Sequence, residues 1–168
     1  MSAASQSTAF VLSDKLKQQI DHWTAKYPAD QKQSAVISAL SLAQEENGGW
    51  LKVEVMDAVA DYLEMPKIAV YEVASFYSML ETEPVGRNMV ALCTNISCML
   101  RGAEDMRAYI ENKLGIKTGE TTPDGRITLK QEEECLAACT GAPMMTVNGH
   151  YHENLTPEKI DTILDGLE

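Results

Sequence analysis

Two short stretches decide what this chain folds around: MVALCTNISC, residues 89–98, and ECLAACTGAPMM, residues 134–145. They hold all four cysteines, with four residues between Cys93 and Cys98 and three between Cys135 and Cys139. Each pair can grip a metal centre from one loop, and two loops brought together supply four thiolates. Two disulfides would need an oxidising compartment, whereas the N-terminal MSAASQSTAF carries neither the basic nor the apolar region of an export signal. Spacing alone leaves two centres open. Zinc loops accept two to four intervening residues. Four also open the plant-type ferredoxin motif, although there the third cysteine comes much sooner. A thioredoxin-type dithiol needs two intervening residues, and neither pair has that interval.

Working outward, Met89, Val90, Ala91 and Leu92 form a short apolar strand that ends at Cys93. A helix is expected from about Gly102 to Leu114, with Met106, Ile110 and Leu114 at intervals of four and Gly115 as its cap. TTPDG is a turn, and RITLK a β-branched strand. Beyond Pro143, MMTV reads as a strand, and the Asn-Gly of NGH as a hairpin turn into YHENL. Thr156, Pro157 and Glu158 then open a last helix that turns Ile160, Ile163, Leu164 and Leu167 inward. This β-α-β-β-α order matches a thioredoxin-like sheet with a helix on each face, and it lets the two cysteine loops converge at one end.

Upstream the chain is helical. Residues 1–10 read as a disordered lead-in. Ser13 caps a first helix through Leu16, Ile20 and Trp23 that stops near Pro28. Asp30 caps a second, through Val36, Ile37, Leu40 and Ala43 to Gly48 and Gly49. A third spans about Lys52 to Leu63, with Val53, Met56, Ala60 and Leu63 on one face. Pro66 holds the first position of a fourth, in which Ile68, Val70, Tyr71, Val73, Ala74, Phe76, Tyr77 and Met79 leave little polar face. Such a helix is either buried in a four-helix bundle or partly exposed as a docking face. The turn-rich ETEPVGRN follows as a linker. The fold class is therefore α+β: a helical region of about four helices over residues 1–85, then a thioredoxin-like domain over residues 86–168 that holds the metal centre.

With 168 residues and 45% hydrophobic content the chain can bury a core, and charged residues interrupt every apolar run well short of a bilayer span. A formal charge of -11 opposes binding to nucleic acid or anionic membrane. Partners are expected to be proteins.

These residues resemble a known family, the E-type subunit of NADH-quinone oxidoreductase, which is the thioredoxin-like two-iron ferredoxin of respiratory complex I and related NAD-linked enzymes. The likeness runs through VYEVASFYSML, EPVGR, CTNISC, TTPDGRITLK and ECLAACTGAPMMTVNGHYHENLTPEKI. It implies that Cys93, Cys98, Cys135 and Cys139 ligate one 2Fe-2S cluster. It further implies an F-type flavoprotein partner that binds NADH and FMN, further peripheral-arm subunits, and a cytoplasmic place at the inner face of the membrane through the complex. One departure is Ala137, where relatives usually have glycine, as CLGAC; a need for positive φ there would bear on loop geometry.

Other residues carry competing readings. Glu132, Glu133 and Glu134 lower the cluster potential if they stay close to it, and do little if they point into water. His150 and His152 read as hairpin or surface residues rather than ligands, and His22 as part of a polar helix face. Met144 and Met145 either shield the cluster or pack in the core. No nucleotide-binding glycine motif and no activated nucleophile is present. Hydride chemistry therefore occurs elsewhere if the chain serves an oxidoreductase, and the resemblance implies that this chain exchanges single electrons with the FMN of the partner. The alternatives are the equivalent subunit of a soluble NAD-dependent hydrogenase or formate dehydrogenase, and a zinc-stabilised adaptor without redox function.

Overall fold

The computed structural model describes residues 10–132 and 135–168. The lead-in expected over residues 1–10 lies outside them except for Phe10, and Glu133 and Glu134 lie outside as well. The chain divides between Pro84 and Val85 into two compact units.

The first unit is helical. In α1 (Asp14–Thr24), Ser13 acts as the expected cap, its hydroxyl accepting from the Leu16 N–H at 3.0 Å, and Leu16 and Ile20 are buried. Asp30 does not cap the second helix. A 3-10 turn over Lys32–Ala35 intervenes, and α2 runs over Val36–Glu46 without a side-chain cap. In α3 (Val53–Leu63) the buried face is Val55, Met56, Val59, Ala60 and Leu63. Val53, expected on that face, is exposed because it begins the helix two residues before the stripe. In α4 (Lys67–Phe76), Pro66 is the cap rather than the first helical residue. Only Val70 and Ala74 of α4 are buried, whereas Ile68, Phe76 and the following Met79 face outward. Of the two places open to so apolar a helix, α4 takes the partly exposed one. The core of the unit joins Leu16, Ile20, Leu40, Leu51, Val55, Val59 and Val70.

The second unit is a four-stranded sheet in the order β2-β1-β3-β4, formed by β1 (Asn88–Cys93), β2 (Ile127–Glu132), β3 (Met145–Val147) and β4 (His150–His152). β1 runs parallel to β2 and antiparallel to β3, and β3 pairs antiparallel with β4. The hairpin turn is Asn148-Gly149, with φ of 50° and 81°. That is the double positive φ which an Asn-Gly pair accepts at low cost. A short helix, α5 (Ile96–Leu100), follows β1, and two long helices complete the unit. α6 (Ala103–Leu114) starts and ends at the left-handed glycines Gly102 and Gly115, and α7 (Pro157–Asp165) is capped by Thr156.

The long helices do not take one face each, as the element order suggested. Ile110 of α6 and Ile160 and Leu164 of α7 enter one core with Val90, Leu92, Ile127 and Leu129. Lys113 pairs with Asp161 at 3.0 Å and Asp165 at 2.8 Å, and the Tyr109 hydroxyl donates to Asp161. The helices therefore lie side by side. Strand alternation then turns Cys93 away from Val90 and Leu92, toward the opposite face. Among the described residues, no helix is long and apolar enough to cross a membrane.

Candidate metal centre

Each cysteine owes its place to the element that carries it. Cys93 ends β1, 2% exposed, and its N–H donates to the Met144 carbonyl at 3.1 Å, so the central strands fix its position. Two residues on, Asn95 accepts from the Ile96 N–H at 2.8 Å and caps α5, a helix of five residues that sequence periodicity is too short to reveal. That turn of helix folds the chain back and buries Cys98, which is 1% exposed.

Cys135 and Cys139 are exposed, with their sulfurs 3.4 Å apart. Cys139 opens a 3-10 turn, Cys139–Gly141. Between the two, Ala137 sits at φ 61° and its N–H donates to the Cys135 sulfur at 3.4 Å. The positive φ on which the reading of this position turned is therefore adopted, with a methyl group in place.

All four thiols are free of disulfides. Burial pushes the Cys98 thiol up to about 11. A hydrogen bond with Cys93 adds to the rise, a backbone hydrogen bond at Met144 opposes it, and the charges of Cys93 and Cys139 act in the upward direction. The two cysteine loops meet, as the topology led us to expect. Cys93 and Cys98 share an apolar pocket with Ala103, Ala142 and Met144, against which Leu136 and Ala138 pack. The adjacent methionines divide: Met144 lines this pocket, and Met145 enters the sheet core.

Among the described residues, no group of three or more His, Cys, Asp or Glu side chains is placed to hold a single ion. The thiols stand as two pairs, and a two-iron centre draws two protein ligands to each iron. His150 is exposed on β4 and His152 half-buried, its imidazole held below the ordinary value first by burial and then by the charges of Lys159 and His150. His22 is exposed on α1, edge-on to Trp23. The acidic run preceding Cys135 falls at or beyond the edge of the described side chains, so its two readings stand where sequence left them.

A thioredoxin-like sheet with free cysteine pairs at one end defines a class, and the chain belongs to it: residues 20–168 match the thioredoxin-like 2Fe-2S ferredoxin family, whose members carry an iron-sulfur cluster. Within that class the chain groups with the E-type subunits of NADH-quinone oxidoreductase. It is 48% identical over 142 residues to the NADH-quinone oxidoreductase E-type subunit of Rickettsia bellii, covering 84% of each chain. The match to the Rickettsia felis protein of the same name is 44% over 159 residues, 95% of each. To the mitochondrial NADH dehydrogenase (ubiquinone) flavoprotein 2 of Dictyostelium discoideum it is 41% over 163 residues, 97% of this chain and 66% of that one. Among solved structures, an NAD+-reducing NiFe-hydrogenase in its air-oxidised state shares the fold, with a TM-score of 0.63 at 18% identity. That likeness covers 75% of this chain and 22% of the hydrogenase chain.

Proposed function

We propose that this chain is the iron-sulfur electron-transfer subunit of an NADH:quinone oxidoreductase, exchanging single electrons with the FMN of a partner flavoprotein that oxidises NADH. The observation that carries the reading is the pairing of four free thiols at one end of a thioredoxin-like sheet, in a chain whose family is defined by a 2Fe-2S cluster. Cys93, Cys98, Cys135 and Cys139 would hold the cluster. When bound, such a cluster supplies one-electron chemistry, which complements a flavin that receives hydride as an electron pair.

The remaining residues have supporting tasks. Ala103, Ala142 and Met144 exclude water from the Cys93–Cys98 side of the site, and Asn95 holds the turn that presents Cys98. Docking on the flavoprotein is supported by exposed apolar side chains in both units: Ile68, Phe76 and Met79 at α4, and Ile96, Met99 and Leu100 on the helix that carries Cys98. The complex would keep the chain at the cytoplasmic face of the membrane without an insertion of its own. Membership of a soluble hydrogenase is supported by likeness of fold alone.

Visible absorption, EPR and metal analysis of the anaerobically purified chain test the reading. Two irons and two labile sulfides per chain are expected, EPR-silent as isolated, with a spin-half signal after dithionite. A colourless chain that holds zinc and takes up no iron or sulfide overturns it.

A further inference from the structure

Four described residues other than glycine have positive φ: Glu64, Ala137, Asn148 and Asn154. Three have an evident reason. The two asparagines are residues whose short polar side chain tolerates the left-handed region. Glu64 closes α3 in the left-handed cap position, its N–H spent on the carbonyls of Ala60 and Asp61. Ala137 has neither excuse. It caps no helix, carries no polar side chain, and its Cβ makes φ 61° a costly conformation.

The loop shows what that conformation accomplishes. Rotation about φ sets the angle between a residue's own N–H and the chain that follows it. At Ala137 the N–H points back at the Cys135 sulfur, 3.4 Å away, while the chain ahead must return the Cys139 sulfur to 3.4 Å from that same atom. The observed positive φ meets both demands. Leu136 and Ala138 anchor the turn on either side by packing against the pocket of Cys93 and Cys98.

We infer that Ala137 is a positioning residue for Cys135: its left-handed backbone aims a fixed N–H at the sulfur and so favours the state of the centre that carries the extra electron. The inference rests on the proposed 2Fe-2S reading. A cluster held by four thiolates gains one negative charge on reduction, and donors aimed at its sulfurs stabilise that charge. Cys135 is exposed, so water competes for the sulfur, but a donor already oriented by the loop requires no reorganisation when the charge arrives.

The test uses the full cluster-loaded chain. Replacing Ala137 by lactic acid through nonsense suppression turns one backbone amide into an ester, removing the N–H and keeping the methyl group. The reduction equilibrium is expected to fall about tenfold, which for one electron is a midpoint lower by about 59 mV. Ala137→Val, whose β-branched side chain resists positive φ, should shift the midpoint in the same direction. Ala137→Gly, which keeps the N–H and accepts the turn, should leave the midpoint unmoved and slow the loss of iron to a chelator. An ester variant with the parent's midpoint overturns the inference. Where that variant fails to retain its cluster, equal midpoints for the Val and Gly variants overturn it instead, and a lower midpoint in Val supports it. A parent chain that takes up no iron and sulfide sinks the functional reading and this inference together, whereas a loaded parent indifferent to the ester sinks the inference alone.

Discussion

Gly86 shows how much a single hydrogen can decide. A Cβ built there would lie 3.0 Å from the carbonyl carbon of Ile127, 3.1 Å from the Gly125 oxygen and 3.1 Å from the Thr128 nitrogen, all of them backbone. Its N–H donates to the Thr128 hydroxyl at 2.6 Å, so the segment entering β1 is drawn tightly onto β2. Backbone cannot rotate aside as a side chain can, and overpacking of this kind costs about 1–3 kcal/mol. Gly86→Ala is therefore expected to lower the urea midpoint of the chain without changing its m-value; an unchanged midpoint would show that the contact relaxes freely. From sequence this glycine was legible only as part of a turn-rich linker. Its close approach depends on Ile127 and Thr128, some forty residues further along, and no local pattern encodes that. Ser13 and the Asn148-Gly149 turn were legible because their partners lie within a few residues of them.

At the scale of elements, α6 is fastened to the loop that follows it by one carboxylate. Glu111 is buried, and it accepts from the Thr118 hydroxyl at 2.7 Å, the Lys117 ammonium at 2.9 Å and the Thr118 N–H at 3.1 Å. Those partners, the Thr118 hydroxyl first, pull its carboxyl from 4.5 down to about 2. A carboxyl depressed in the folded state stabilises the fold above its unfolded value, and the contribution fades as pH falls toward the folded one. The melting temperature of the parent should therefore exceed that of Glu111→Gln above pH 4.5, with the gap closing toward pH 2. A gap that stays constant across that window would mean that shape rather than charge sets the role of Glu111. The elements that sequence located well, α1, α6, α7 and the β3–β4 hairpin, carry their own start and stop signals. Those it misjudged depend on their surroundings: α5 has five residues, too few to show a period, and α2 begins after a 3-10 turn that displaces it from Asp30. The candidate site divides in the same way. The cysteine spacing was visible, whereas the burial of one pair and the exposure of the other follow from α5 and from the pocket around Met144.

For the whole molecule, the question is which surfaces a partner covers. A formal charge of -11 opposes association between copies of the chain and with phosphate-rich partners, so a protein partner is the first candidate to cover large apolar side chains left in water. Phe76 is 79% exposed and Leu100 78%, one in each compact unit, and each has apolar neighbours, Met79 beside the first and Ile96 and Met99 beside the second. Placed at the centre of an interface, side chains of this kind are often the residues whose loss costs most in affinity. Because neither makes up part of its unit's core, Phe76→Asp and Leu100→Asp should leave folding and iron content as in the parent. Co-expressed with the flavoprotein subunit proposed above as the partner, each variant is expected to bind at least about tenfold more weakly, a change of roughly 1.4 kcal/mol. The cluster spectrum of the unbound chain should not change. Weakening by Leu100→Asp alone would assign docking to the helix that carries Cys98, and weakening by Phe76→Asp alone to the helical unit. Full binding by both would leave the flavoprotein to recognise polar surface, and the exposed apolar faces would then have to meet a different subunit.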